Sequence, residues 1–139
     1  MLRILGAIPL LVVPALIYAL FAFPSGMQMT AGLAEHAFTF TMPSGMPWVF
    51  TWGGVFLMFT IVCLFIEVLK STRATASAMV DNGLSIALFI ACFLAFLLAP
   101  GFATTDFFLI MMMTLLDFVA GSIIMINTAQ RTVQFDGHN

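Results

Sequence analysis

The chain has 139 residues, of which 63% are hydrophobic and 7% charged, with a mean hydropathy of +1.16. A water-soluble domain carries about 25% charged residues, so this composition lacks the polar groups to cover a water-facing surface and instead fits lipid as the solvent. A net charge of −2 with no basic patch argues against a nucleic-acid partner. Two cysteines without spaced partners make neither a disulfide framework nor a zinc motif.

A spanning helix needs about 20 mostly apolar residues. The first such stretch is Ile4–Phe23. Arg3 ahead of it resembles the start of a signal peptide, but the run exceeds the 7–15 residues of a signal core. It is expected to stay as a first helix. Pro9 and Pro14 within it each remove a backbone donor and are expected to bend it.

The segment Pro24–Pro47 comes next, framed by a repeated tetrapeptide, Pro24-Ser25-Gly26-Met27 and Pro43-Ser44-Gly45-Met46. Both copies read as turns. The residues between them, 28–42, suit either an ordinary loop or a short helix resting on the membrane surface. His36 and Glu35 lie here with Met27, Met29, Met42 and Met46. Thioethers suit Cu(I), but methionine is abundant throughout the chain, so no metal site is expected.

Trp48–Leu69 forms the second apolar stretch. Trp48, Trp52 and Tyr18 fall toward one end of their helices, as an interfacial aromatic belt would. Glu67 precedes Lys70 by three residues, a spacing that permits an interfacial ion pair on one helix face. The link over 70–83 follows. Its Ala-rich start is expected to extend the helix about two turns, and Asp81-Asn82-Gly83 to make the turn, with Asp81 capping the next helix.

The third stretch is Leu84–Ala99, extended to Pro100. It carries Ala87, Ala91, Ala95 and Ala99 at four-residue spacing. Small residues let membrane helices approach closely, so this stripe, with Gly121 on the following helix, is expected to form a packing or partner interface. Pro100 and Gly101 end the helix, and Thr105 or Asp106 is expected to cap the next.

Phe107–Asn127 is the fourth stretch, with 128–139 left as a tail. Asp117 lies about ten residues from each end, near the bilayer midplane. An ionised Asp there costs roughly 2.5–3.5 kcal/mol on insertion scales, so it is expected to face protein. Thr114 on its own helix and Thr60 and Cys63 on the second, with Cys92 on the third, match it in depth. Asp117, Thr114 and Thr60 are therefore the candidate proton- or cation-binding set. The alternative is a neutral carboxyl hydrogen-bonded to an adjacent helix.

Lys and Arg set orientation. Arg3, Lys70, Arg73 and Arg131 all fall on one side of a four-span reading, which only an even number of crossings permits. The expected fold is all-α, a polytopic antiparallel four-transmembrane-helix bundle forming a single domain, with both termini cytoplasmic. In a bacterium it would sit in the cell inner membrane. Neither histidine lies in a span, and no phosphate loop, catalytic triad or zinc motif is present. No enzymatic activity, metal or cofactor is expected. The expected partners are the lipid bilayer and other membrane subunits, or a second copy. The role expected is that of an accessory, assembly or scaffolding subunit. The alternative is an oligomeric small transporter or channel using Asp117.

Overall fold

A computed structural model describes residues 8–71 and 76–136, with side chains described over 8–71 and 79–127. Arg3 and Arg73, the proposed helix over 4–7 and the end of the tail lie outside the described residues. Four helical segments are long and apolar enough to cross a membrane: Val12–Ala34, Trp52–Ser71, Met79–Leu98 and Thr105–Asn127. Their ends differ from the sequence expectation, and each shift has a local cause.

Helix α1 spans Val12–Ser25. Ile8–Leu11 forms turns instead of helix, with Val12 N donating to the Pro9 carbonyl at 3.0 Å. Pro14 falls in the first turn of α1, where backbone N–H groups have no intrahelical partner to lose. The prolines thus set where the helix starts; neither lies in its interior to bend it. At its far end Pro24 sits in the last turn, and Gly26 adopts φ +51. The first Pro-Ser-Gly-Met copy is therefore a helix terminus. A 3-10 turn, Gly26–Gln28, leads into the short helix α2, Met29–Ala34.

The segment after α2 departs most from expectation. Strands β1, His36–Thr41, and β2, Pro47–Thr51, pair antiparallel, with Phe38 opposite Phe50 and Phe40 opposite Trp48. Val, Phe, Trp and Thr suit a pleated surface, and the second Pro-Ser-Gly-Met copy closes the hairpin. Gly45 N donates to the Met42 carbonyl at 2.8 Å, and Gly45 takes φ +80. Pro at the first central position followed by a left-handed Gly is the chemistry of a hairpin turn with a bulge. Trp48–Thr51 thus belongs to a strand, and the second long helix begins four residues later than expected.

Helix α3 is Trp52–Ser71. Thr51 Oγ1 accepts the Gly54 N–H at 3.2 Å, an N-cap. Helix α4 is Ala76–Leu98, so Asp81-Asn82-Gly83 is helical and not a turn, and Asp81 is no cap. Close packing does not require the glycine of this triplet, since nothing lies within 4 Å of a Cβ built on Gly83. A second 3-10 turn, Pro100–Phe102, precedes helix α5, Thr105–Asp136. Thr104, and not Thr105 or Asp106, caps α5, accepting the Phe107 N–H at 3.1 Å. The α5 backbone runs on through most of the expected tail.

Helix α5 packs against both α4 and α3, and α1 lies against α3 and the 3-10 turn at Pro100. The apolar core gathers near the hairpin end, around Tyr18, Phe102, Phe107, Ile110 and Met111. Tyr18 is 1% exposed, with its hydroxyl 2.5 Å from Thr104 Oγ1. It is a core residue and not part of an aromatic belt, whereas Trp48 and Trp52 are exposed.

The tightest approach is at Gly101. A Cβ there would collide with the Ala22 carbonyl oxygen and stand 3.2 Å from that of Gly26. Both are backbone atoms, so Gly101→Ala forces the end of α1 away. Overpacking of this kind costs about 1–3 kcal/mol. Gly83→Ala, in open space within a helix, is expected to stabilise by up to about 1 kcal/mol. Unfolding midpoints of the two variants in detergent should therefore move in opposite directions.

Candidate functional site: the buried polar cluster

The buried faces of the long helices are defined by helical spacing, and they are polar. On α3 the buried residues are Gly53, Thr60, Cys63 and Glu67. On α4 they are Asp81, Ser85 and Cys92, and on α5 Thr114, Asp117 and Gly121 follow the aromatic core. Steps of three, four and seven keep residues on one helix face. The other faces carry exposed Ile61, Val62, Phe65, Ile66 and Leu69 on α3, and Leu94, Leu97 and Leu98 on α4.

At the end opposite the hairpin, Lys70 is the hub. Its Nζ lies 2.5 Å from Glu67 Oε1 and 3.1 Å from Asp81 Oδ1, and it donates to the Ile8 carbonyl at 3.2 Å. An ammonium has three N–H donors, and here three acceptors from three segments surround it. The expected Glu67–Lys70 ion pair is present, but it does not face outward. Glu67 is 0% exposed, and its other oxygen accepts the Leu10 N–H at 2.6 Å. The turn before α1, whose Leu10 N–H has no helical partner, is thereby tied to α3.

Asp117 is buried and faces protein. Its partner is Ser85 of α4, whose hydroxyl donates to Oδ2 at 2.6 Å. Thr60 and Thr114 are both fully buried, but each hydroxyl donates to its own helix, to Phe56 O at 2.9 Å and Met111 O at 2.7 Å. One turn from the Ser85–Asp117 pair, Asn82 Nδ2 donates to Ser122 Oγ at 3.1 Å. A Cβ on Gly121 would lie 2.7 Å from Asn82 Oδ1, so the missing side chain at Gly121 makes room for that amide.

Ser85, Asp81 and Asn82 were therefore the missed members of the site. The turn chemistry of Asp81-Asn82-Gly83 hides the first helical turns of α4, where Asp81 and Asn82 lie, while Ser85 falls inside the expected helix but near its start. The four-residue step from Asp81 to Ser85, continued to Cys92, was the signal of a shared face. The alanine stripe divides: Ala95 and Ala99 pack against the core, while Ala87 and Ala91 are exposed. Strict four-residue spacing rotates about 40° per step around a helix, so such a stripe winds off any single interface. Cys63 and Cys92 are buried free thiols. In the hairpin, His36 Nε2 lies 2.7 Å from Thr39 Oγ1.

Searches against family models, curated proteins and solved structures find no match to this chain.

Removing Lys70 would strand two carboxylates at once. Breaking a buried ion pair costs about 3–5 kcal/mol, and Lys70 is 31% exposed on its side chain, which places Lys70→Met toward the lower end. Because the partners couple, Lys70→Met with Glu67→Gln should cost less than the sum of the two single changes. Thermal unfolding of the four proteins in detergent measures this coupling.

Proposed function

We propose that this chain is a small non-enzymatic integral membrane protein, crossing the bilayer four times as an antiparallel helical bundle, and that it serves as an accessory or scaffolding subunit of a larger membrane assembly. One observation carries this reading. Each buried carboxylate of the polar cluster is engaged by a partner within the same chain: Glu67 and Asp81 by Lys70, and Asp117 by Ser85. In hydrocarbon, interhelical hydrogen bonds hold helices together. Groups satisfied in this way serve as internal fastenings, which leaves the exterior to carry recognition.

The exterior offers the hairpin. Phe40 is 65% exposed and Trp48 and Val49 51% each, on a two-stranded sheet with both edges open. Edge strands with free backbone groups pair readily with other chains. The basic residues Arg3, Lys70, Arg73 and Arg131 support an orientation with both termini cytoplasmic and the hairpin outside. The inner membrane would be the site in a bacterium.

A second reading, an oligomeric proton or cation transporter, is favoured by the position of Asp117 near the middle of α5, among Ser85, Asp81 and Lys70. Intramembrane carboxylates commonly mark ion pathways. The two readings separate at Asp117→Asn, which preserves an acceptor for Ser85. On the scaffold reading the variant costs no more than about 1 kcal/mol and assembles normally. Loss of ion flux with assembly intact would overturn it. A photoreactive residue at Phe40 in intact membranes should give one discrete adduct with a different protein. Adducts only between copies of this chain would favour the transporter.

A further inference from the structure

At the hairpin end a cavity of about 520 Å³ opens sideways between α1, α2 and the start of α3. Its volume falls within the roughly 300–1,000 Å³ of small-molecule sites. Ile17 and Phe21 of α1 and Val55 and Phe59 of α3 form its walls, with Leu33 of α2 beneath. Ser25, Gln28 and Trp52 gather at one end, while the hydroxyl of Tyr18, which also lines the cavity, is taken by Thr104 and the Gly101 carbonyl. Among the described residues, none hydrogen-bonds to the side chains of these three. From Ser25 to Ile17, and from Trp52 to Phe59, the groove runs about 10–12 Å along the helices at 1.5 Å per residue. It is a polar mouth over an apolar slot, aligned with two of the apolar segments.

We propose that this groove seats one acyl chain of a zwitterionic membrane phospholipid, with its headgroup at Ser25, Gln28 and Trp52. Three features select that occupant. The slot is lined by hydrocarbon and opens toward the surroundings of α1 and α3. The free amide, hydroxyl and indole N–H at the mouth suit phosphate and glycerol oxygens. No described cation stands there to receive a net anionic headgroup: Lys70 is fifteen residues along α3 from Val55, engaged with Glu67 and Asp81. Beside the mouth stands the exposed acid Glu35, whose backbone carbonyl accepts the Trp52 backbone N–H at 3.1 Å, and an acid there favours a lipid ammonium. The inference rests on the chain lying in lipid, and not on its role as a subunit.

Gly32 provides the test. It lines the groove, and nothing lies within 4 Å of a Cβ built on it, so Gly32→Leu fills the slot without displacing the backbone. Gly83→Leu, equally unobstructed but on α4, is the control. The full chain is placed in nanodiscs of mixed phosphatidylethanolamine and phosphatidylglycerol, with a phosphatidylethanolamine probe carrying a diazirine on its acyl chain. Labelling should concentrate on the peptides containing Met29 and Val55–Phe59. It should fall about fivefold or more, equivalent to about 1 kcal/mol, in Gly32→Leu and stay unchanged in Gly83→Leu. Gln28→Leu, an exposed change that leaves the fold alone, should reduce it as well and stands in if Gly32→Leu does not insert. Equal labelling in wild type, Gly32→Leu and Gln28→Leu overturns the site. Equal labelling by a phosphatidylglycerol probe overturns the headgroup preference. Failure of the wild-type chain to enter nanodiscs overturns the membrane reading with it.

Discussion

One ammonium group organises the end of this molecule opposite the hairpin. Lys70 meets Glu67, Asp81 and the Ile8 carbonyl together, and so joins α3, α4 and the turn before α1 at a single point. Two carboxylates out of water are tolerable only with such a partner, because an isolated buried charge costs far more than any packing contact returns. The surrounding arrangement follows. Asp81 must lie inside α4 to reach Lys70, which brings Ser85, one turn on, to Asp117 and sets Asn82 against Ser122 and the notch at Gly121. The register of α4 on α5 is thus written in polar pairs, while most large apolar side chains face away.

That distribution inverts the rule for proteins in water, where charge lies outside and hydrocarbon within. Here Thr60, Glu67, Asp81, Ser85, Thr104, Thr114 and Asp117 are all buried, and exposed Leu, Ile and Phe line the flanks of every long helix. The hairpin end works differently. Its core is aromatic, with Tyr18 packed 4.8 Å from Phe107 and 5.7 Å from Phe102 between ring centroids, and its backbone approaches are closed by Gly101. The molecule therefore has a polar fastening at one end and an aromatic one at the other.

The four apolar segments were legible in the sequence because hydrophobic length alone reports them. Their ends were not. Pro9 and Pro14 read as bends, since sequence does not say which proline sits in a first turn. Trp48–Thr51 read as helix because an apolar run of that length is ambiguous between helix and strand; its partner, the Phe-Thr alternation of 38–41, was the missing half of the argument. Asp-Asn-Gly at 81–83 carries strong turn chemistry, yet the ion pair with Lys70 and the contact with Ser122 hold it in a helix. The burial of Asp117 and its inward aim followed from its cost in lipid. Ser85 as its partner did not, because a helix beginning at Leu84 puts Ser85 at the membrane edge, whereas α4 begins at Ala76. The groove was invisible, as it depends on the break at Gly26 that separates α2 from α1.

The contacts made by Ile8 and Leu10 bear on how the chain is made. Helix α1 has 14 residues, and only together with the 3-10 turn and α2 does the segment Val12–Ala34 reach the length of a membrane crossing. The groups that satisfy its approach, Glu67 and Lys70, emerge from the ribosome some sixty residues later. The first segment is therefore left with unmet backbone polarity until the second has been synthesised, so its final seating is a joint event of the two.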